Sequence, residues 1–176
     1  MKSIVLLLVL IATSLPAFSN DAERLYQMGL AAMNQGQPEA AEKAFREALR
    51  IQPNHAQARY QLGQLPARAE ALKAQRRAAE LAEIRLPAID FAGVTLNEAL
   101  AALGQMIETE SAKSRGEDKA LTPNFMVQDP GGSLGDKEVN LRLKNVPAKV
   151  ALDYLLQQVG ATARYDEHAT VIRPAK

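Results

Sequence analysis

Residues 89–103 read IDFAGVTLNEALAAL, and residues 141–155 read LRLKNVPAKVALDYL. Aligned on Val94 and Val146, both segments begin with alternating apolar residues and continue with apolar residues three and four apart. Alternation is typical of a strand with one buried face, and the second spacing is typical of a helix with one buried face. We therefore predict two strand–helix units in the C-terminal half of the chain.

Local signals place the ends of these helices. Thr95 with Glu98 forms a capping box, Pro147 stands where a first-turn proline is tolerated, and Gly160 ends the second helix. The predicted core faces are Leu96, Leu100, Leu103 and Ile107 on the first helix, and Leu152, Leu155, Leu156 and Val159 on the second. Further strands are predicted over residues 125–128, 162–165 and 170–173. The predicted order is β-α-β-β-α-β-β, with a bulge or strand switch at Pro87, where the alternation changes parity.

The region from residue 84 to 174 resembles the short N-terminal domain that secretins and TonB-dependent receptors share. The similarity is carried by Ile89-Asp90-Phe91 and Val94 to Leu100 in the first unit, and by Val139-Asn140-Leu141, Lys144 to Pro147, Ala151-Leu152 and Leu155-Leu156 in the second. Tyr165, Val171 and Ile172 stand where that family has its terminal hairpin. The resemblance implies a small periplasmic α+β domain that docks other envelope proteins without catalysis. No pore or barrel sequence follows residue 176, so the expected role is beside a channel and not as the channel.

The region before it has helical periodicity. Two short helices are predicted between Ala22 and His55, separated by a turn with Gly36 and by Pro38 at the start of the second helix. The segment resembles one tetratricopeptide repeat, whose signature offsets are occupied by Leu25, Met28, Gly29, Ala41, Phe45, Ala48 and Pro53. Gly29 and Ala41 would allow close helix approach, with Phe45 filling the space between the helices.

A second repeat starts at Ala56 but is degenerate. We predict that Pro66 ends its first helix and that residues 67–83 form a separate capping helix, because a repeat cannot bury its apolar face alone. The predicted fold class is α+β, with an all-α helical-repeat hairpin at residues 20–83 and the strand–helix domain at residues 84–176.

Residues 1–19 match a secretory signal peptide. Lys2 precedes an apolar run over residues 4–11, and Ala17-Phe18-Ser19 places small residues three and one before a cleavage site. Polar residues and a proline interrupt the segment before it reaches the length of a membrane-spanning helix. We predict cleavage after Ser19, export to the periplasm and no integral membrane span afterwards; retention of the segment as an anchor is the alternative.

Composition narrows the function classes. The chain has 21 Lys and Arg against 20 Asp and Glu, a net charge of +1 and no cysteine. Removal of Lys2 with the signal peptide leaves no net charge, which argues against a nucleic-acid partner. The lack of cysteine excludes disulfides, thiol catalysis, Cys zinc sites and a lipid-carrying cysteine.

Chemical motifs are weak. Residues 131–135, GGSLG, match the G-x-S-x-G nucleophile motif, which needs a helix after the serine and a histidine base. A strand is predicted instead, so a glycine turn is the favoured interpretation. His55 and His168 lie in different turns without a metal-ligand set. We predict no catalytic residue, cofactor or metal.

The candidate partner-binding residues are Tyr26, Leu30, Met33 and Tyr60, which would line the concave face of a tetratricopeptide domain. Such a face suits an apolar peptide or helix. The alternative is that these residues pack against residues 67–83 or against the second domain.

The predicted function is that of an exported, non-catalytic adaptor that binds proteins of a secretion or transport apparatus in the bacterial envelope, with a secretin or a receptor among the candidate partners. One alternative is a structural protein that self-associates into homo-oligomers through strand edges. The other is a serine hydrolase that uses Ser133.

Overall fold

Residues 18–166 and 168–175 are described in a computed structural model of the chain. Three helices come first, namely α1 (Phe18–Asn34), α2 (Pro38–Ile51) and α3 (Ala56–Glu83). They are followed by β1 (Arg85–Thr95), α4 (Leu96–Arg115), β2 (Phe125–Val127), β3 (Glu138–Pro147), α5 (Ala148–Val159), β4 (Ala161–Tyr165) and β5 (Thr170–Pro174). The α+β class is confirmed, and so is the β-α-β-β-α-β-β order predicted for the C-terminal half. The predicted signal peptide lies, up to residue 17, outside the described residues.

Helices α1 and α2 form a hairpin around one aromatic ring. Phe45 of α2 is fully buried, and a Cβ atom built on Gly29 of α1 would lie 2.6 Å from its Cδ1 atom. A glycine at this position therefore lets the ring lie directly against the α1 backbone. Gly36 in the turn has φ +65°, and Pro38 begins α2, as predicted.

The prediction that Pro66 ends a helix is wrong. Helix α3 is a single helix of 28 residues with Pro66 in its interior. A proline inside a helix removes one backbone hydrogen bond and costs about 3 kcal/mol. Here Leu65 and Leu72 are buried in the helical core on either side of the proline. We infer that their burial offsets the local cost, so the predicted break at Pro66 does not form.

The strands make two small sheets. β1 pairs antiparallel with β3, while β5 lies between β2, its parallel neighbour, and β4, its antiparallel neighbour. Neither the bulge nor the strand switch predicted at Pro87 is found, because β1 runs through Pro87 in one register with β3. The bulge lies further along: Ala92 and Gly93 are both opposite Asn140, whose Oδ1 atom accepts a 2.8 Å hydrogen bond from the Gly93 N–H. The extra residue is taken up where a glycine with positive φ is available.

Two apolar cores result. One comprises residues between Tyr26 and Leu72, and the other comprises residues between Leu81 and Ile172. The second includes all eight residues predicted for the core faces of α4 and α5, and the capping box of Thr95 and Glu98 is also confirmed. Leu81 belongs to α3 but is buried in this second core. The division into independently folding domains at Glu83 stays a prediction.

Gly29→Ala is expected to lower the stability of the repeat hairpin by about 1 to 3 kcal/mol, the range for an overpacked site. Gly63→Ala is the matched control, because a Cβ atom at this helical glycine has open space around it. The control should raise stability by about 0.5 to 1 kcal/mol. Urea unfolding followed by circular dichroism measures both, and equal effects of the two substitutions would contradict the proposed packing.

Leu81→Ala is expected to destabilise the strand-containing half by about 2 to 5 kcal/mol, the range for a buried leucine. Met126→Ala, at a side chain that is half exposed, should change stability little. Fluorescence from a single tryptophan introduced in place of Phe91 reports this unfolding transition. A neutral Leu81→Ala would show that α3 is not part of the second core.

Candidate partner-binding surface

The four predicted binding residues differ in how far they are exposed to solvent. Tyr26 and Met33 are buried in the helical core, with 9% and 5% of their surface exposed, whereas 65% of Tyr60 is exposed. Leu30 is half-buried against the same core. The predicted helix face on α1 therefore exists, but most of it packs inside the helical region. Partner binding through these residues stays a prediction, and Tyr60 is the residue most accessible to a partner.

Tyr26 helps to hold the turn that leads into α3. Its ring centroid lies 5.9 Å from that of Phe45 and 5.0 Å from that of His55. His55 is buried, its Nδ1 atom accepts a hydrogen bond from the Ala58 N–H at 3.3 Å, and its Nε2 atom lies 3.4 Å from Glu23 Oε2. Because Nδ1 accepts, the neutral ring carries its proton on Nε2, toward the carboxylate. His55 is thus a helix cap.

A cleft of about 230 Å³ lies between α2 and α3. Leu62, Leu65 and Pro66 supply apolar groups from α3. The remaining lining residues are Pro38, Glu39, Glu42, Arg46 and Ala69. Tyr60 and Ala67 lie on the opposite side of α3, because successive helical residues are about 100° apart. The helix therefore presents two separate surfaces to a partner.

The charged residues at the cleft are paired. Arg46 Nη2 lies 2.7 Å from Glu42 Oε1, and Lys73 Nζ lies 3.0 Å from Glu39 Oε1. The pKa of Glu39 is lowered, first by a backbone hydrogen bond at the start of α2 and then by Lys73. Since these charges already have partners, the cleft suits a row of apolar side chains better than a charged ligand.

The sequence prediction did not identify this cleft. The signal was present in Leu65 and Leu72, which are seven residues apart and so fall on one helix face on both sides of Pro66. A proline is a typical helix terminator, so the sequence pattern predicts two helices where one face of α3 packs against α2.

Residues 131–135, the GGSLG segment, form a turn that is stabilised by the carboxylate of Asp129. Asp129 accepts hydrogen bonds from the backbone N–H groups of Gly131, Ser133 and Leu134 at 3.0, 2.9 and 2.8 Å. The Leu134 and Gly131 bonds are the main reasons that the pKa of Asp129 is lowered. β3 follows this turn, so the strand–turn–helix geometry of a nucleophile elbow is not formed.

His168 lies in the connection between β4 and β5, while His55 caps α3. Over residues 18–166 and 168–175, no group of three or more His, Cys, Asp or Glu side chains is placed to hold a metal ion. Within the same ranges, no helix combines the length and apolar character that a membrane crossing requires.

Comparison with protein families matches residues 22–55 to the tetratricopeptide repeat. The match covers most of α1, all of α2 and the turn before α3, and it supports a role in protein–protein interaction. No curated protein and no solved structure matches the chain. The resemblance of residues 84–174 to the secretin and TonB-receptor domain stays a prediction.

Asp129→Ala is expected to speed amide hydrogen exchange at Gly131, Ser133 and Leu134 by about ten-fold or more, because their common acceptor is lost. Ser133→Ala is the control and should leave these amides unchanged, since only the backbone of Ser133 bonds to Asp129. Reaction of Ser133 with a fluorophosphonate probe, absent in Ser133→Ala, would contradict the interpretation of this segment as a turn.

Proposed function

We propose that the chain is a non-catalytic adaptor that is exported to the periplasm and binds a protein of an envelope secretion or transport apparatus. The observation that carries the proposal is the open α2–α3 cleft beside a single matched repeat. Export is supported by the sequence pattern of residues 1–19. The envelope partner, a secretin or a receptor, is supported by the resemblance of residues 84–174.

The cleft follows from the way repeats stack. Each repeat buries its apolar face against the next one, and a lone repeat lacks that neighbour. Helix α3 supplies part of the missing contact through Leu65 and Leu72, but it continues toward the second core instead of turning back. Within residues 18–166 and 168–175, no second helix of the repeat therefore covers Leu62 and Pro66 beside α2.

The chemistry of the cleft favours an amphipathic helix as the partner segment. Such a helix would place apolar residues three and four apart on the cleft floor. The paired charges of Glu42 and Arg46 would remain at the rim. Tyr60, on the other side of α3, is a second proposed contact, since aromatic side chains are enriched in interfaces.

Ala69→Lys is expected to weaken partner binding by at least about ten-fold, or 1.4 kcal/mol, because it places a charged chain in the cleft. Ala67→Lys, on the Tyr60 side, is the matched control. A photo-crosslinking residue at Arg46 reports cleft occupancy in cells, and the same residue at Tyr60 reports the opposite surface.

An envelope protein crosslinked from position 46, and lost in Ala69→Lys only, supports the proposal. A crosslink that is lost only in Ala67→Lys would show that the partner binds the Tyr60 surface and not the cleft. Crosslinks to a second copy of the chain alone would favour the self-associating alternative. Absence of any crosslink at both positions would contradict the adaptor function.

A further inference from the structure

The outer edge of β4 carries backbone groups that β5 does not use. Two hydrogen bonds show which residues of β4 direct their backbone groups toward β5. The Ala175 N–H donates to the Gly160 carbonyl at 2.8 Å, and the Asp166 N–H donates to the Ala169 carbonyl at 2.8 Å. Even-numbered residues along β4 thus bond to β5, and odd-numbered residues direct their N–H and C=O groups away from it. Among the described strands, none pairs with this outer side of β4, so Ala161, Ala163 and Tyr165 form the edge of the sheet.

This edge lies beside a groove. A space of about 450 Å³ separates β4 from α5, with Lys149, Asp153 and Gln157 on the helix side. On the strand side, Ala161 and Ala163 have small side chains that leave room. Tyr165 also lines the groove, and its hydroxyl is buried without a hydrogen-bond partner among the described residues. A strand edge next to a helix can receive an extended peptide.

The outer edge of β3 is protected in a way that β4 is not. Gln158 of α5 accepts a hydrogen bond from the Asn140 N–H at 3.0 Å and donates one to the Asn140 carbonyl at 2.8 Å. Its side-chain amide thus takes the place of a neighbouring strand. Proteins commonly cover edges in this way to prevent unwanted pairing. Among the described residues, no side chain both accepts from and donates to an outward backbone group of β4 in this way, and Ala161 and Ala163 line the groove instead.

Charge disfavours a second copy at this edge. Antiparallel pairing of two β4 strands about Ala163 would place the two Arg164 side chains diagonally across the open face of the sheet. Diagonal neighbours on adjacent strands are about 7 to 8 Å apart, within reach of long side chains, so two arginines there repel across the pair. Arg164 is already paired with Asp166 of its own strand, so the charge that acidic residues of a foreign strand would meet is that of Arg173, which is exposed on the neighbouring strand. A foreign strand with acidic residues would complement this face.

We propose that the β4–α5 groove binds an extended peptide segment of another protein, paired with the backbone of Ala161, Ala163 and Tyr165. In the bound peptide, the side chains that point into the groove are small or apolar, and those on the open face near Arg173 are acidic. This surface is separate from the α2–α3 cleft, so either surface can fail its test without the other.

The test uses the full chain with a strand tethered after Lys176, because Ala175 already lies at the groove. A Gly-Ser linker of about eight residues spans roughly 16 Å on average and holds the segment Thr-Val-Glu-Val-Glu-Val-Thr at millimolar effective concentration. The control tether replaces the central Val by Pro, which cannot donate to the ladder. Amide hydrogen exchange by NMR is the readout.

The alternating tether is expected to slow exchange at Ala161, Ala163 and Tyr165 by about ten-fold or more, because paired amides exchange only on opening. Thr162 and Arg164, already bonded to β5, should not change. The Pro tether should protect none of the three. Ala163→Pro in the host strand should abolish the effect without shifting thermal unfolding, since this N–H makes no bond to β5.

Equal exchange with both tethers would overturn the proposal. Protection that persists in Ala163→Pro would likewise show that backbone pairing at this edge is not the cause. If the chain without a tether sediments as a dimer and already protects the three amides, a second copy occupies the edge and the proposal is wrong.

Discussion

Leu65, Leu72 and Leu81 are all buried along the one uninterrupted helix α3, which joins the repeat to the strand-containing half. Leu65 and Leu72 pack in the core of the repeat, and Leu81 packs in the core of the sheets. A break at Pro66 would remove at least one of these leucines from its core. Each leucine lost from a core would cost about 2 to 5 kcal/mol, which is as large as the roughly 3 kcal/mol cost of the proline inside the helix.

This continuity also explains the surfaces that remain open. A chain that turned back near Pro66 would have covered α2 with the second helix of a repeat. Instead, α3 continues to Glu83, where Ile84 accepts a hydrogen bond from the Ala148 N–H at 2.8 Å, and Arg115 lies 2.7 Å from Glu83. The contacts that attach the helix to the second core are thus the same ones that leave the cleft uncovered.

Local signals predicted much of the fold. The Thr95–Glu98 capping box, the two apolar helix faces and the Gly29–Phe45 contact all depend on residues whose roles are set by near neighbours in sequence or by a repeating pattern. The helix through Pro66 depends on contacts with α2 and the distant second core, which a single-sequence pattern does not contain. The bulge at Ala92 and Gly93 depends likewise on the register with β3.

The predicted binding residues likewise combine a feature that the local sequence pattern predicts with one that depends on tertiary contacts. Periodicity correctly placed Tyr26, Leu30 and Met33 on one face of α1, but a face that binds a partner and a face that packs inside the protein have the same spacing. Burial separates them: Tyr26 and Met33 are core residues, whereas Tyr60 is exposed. The cleft was missed because it forms between α2 and a helix that was expected to end at Pro66.

Double electron–electron resonance can test directly whether α3 is one continuous helix, by measuring the distance between spin labels at its two ends. The chain has no cysteine, so cysteines introduced at Gln57 and Ala82, both exposed, carry the only spin labels. At 1.5 Å per residue, one helix places these positions about 37 Å apart, and a narrow distribution near that distance is expected. A broad distribution, or one below about 20 Å as in a pair of packed helices, would show that the chain turns at Pro66 and would contradict the account.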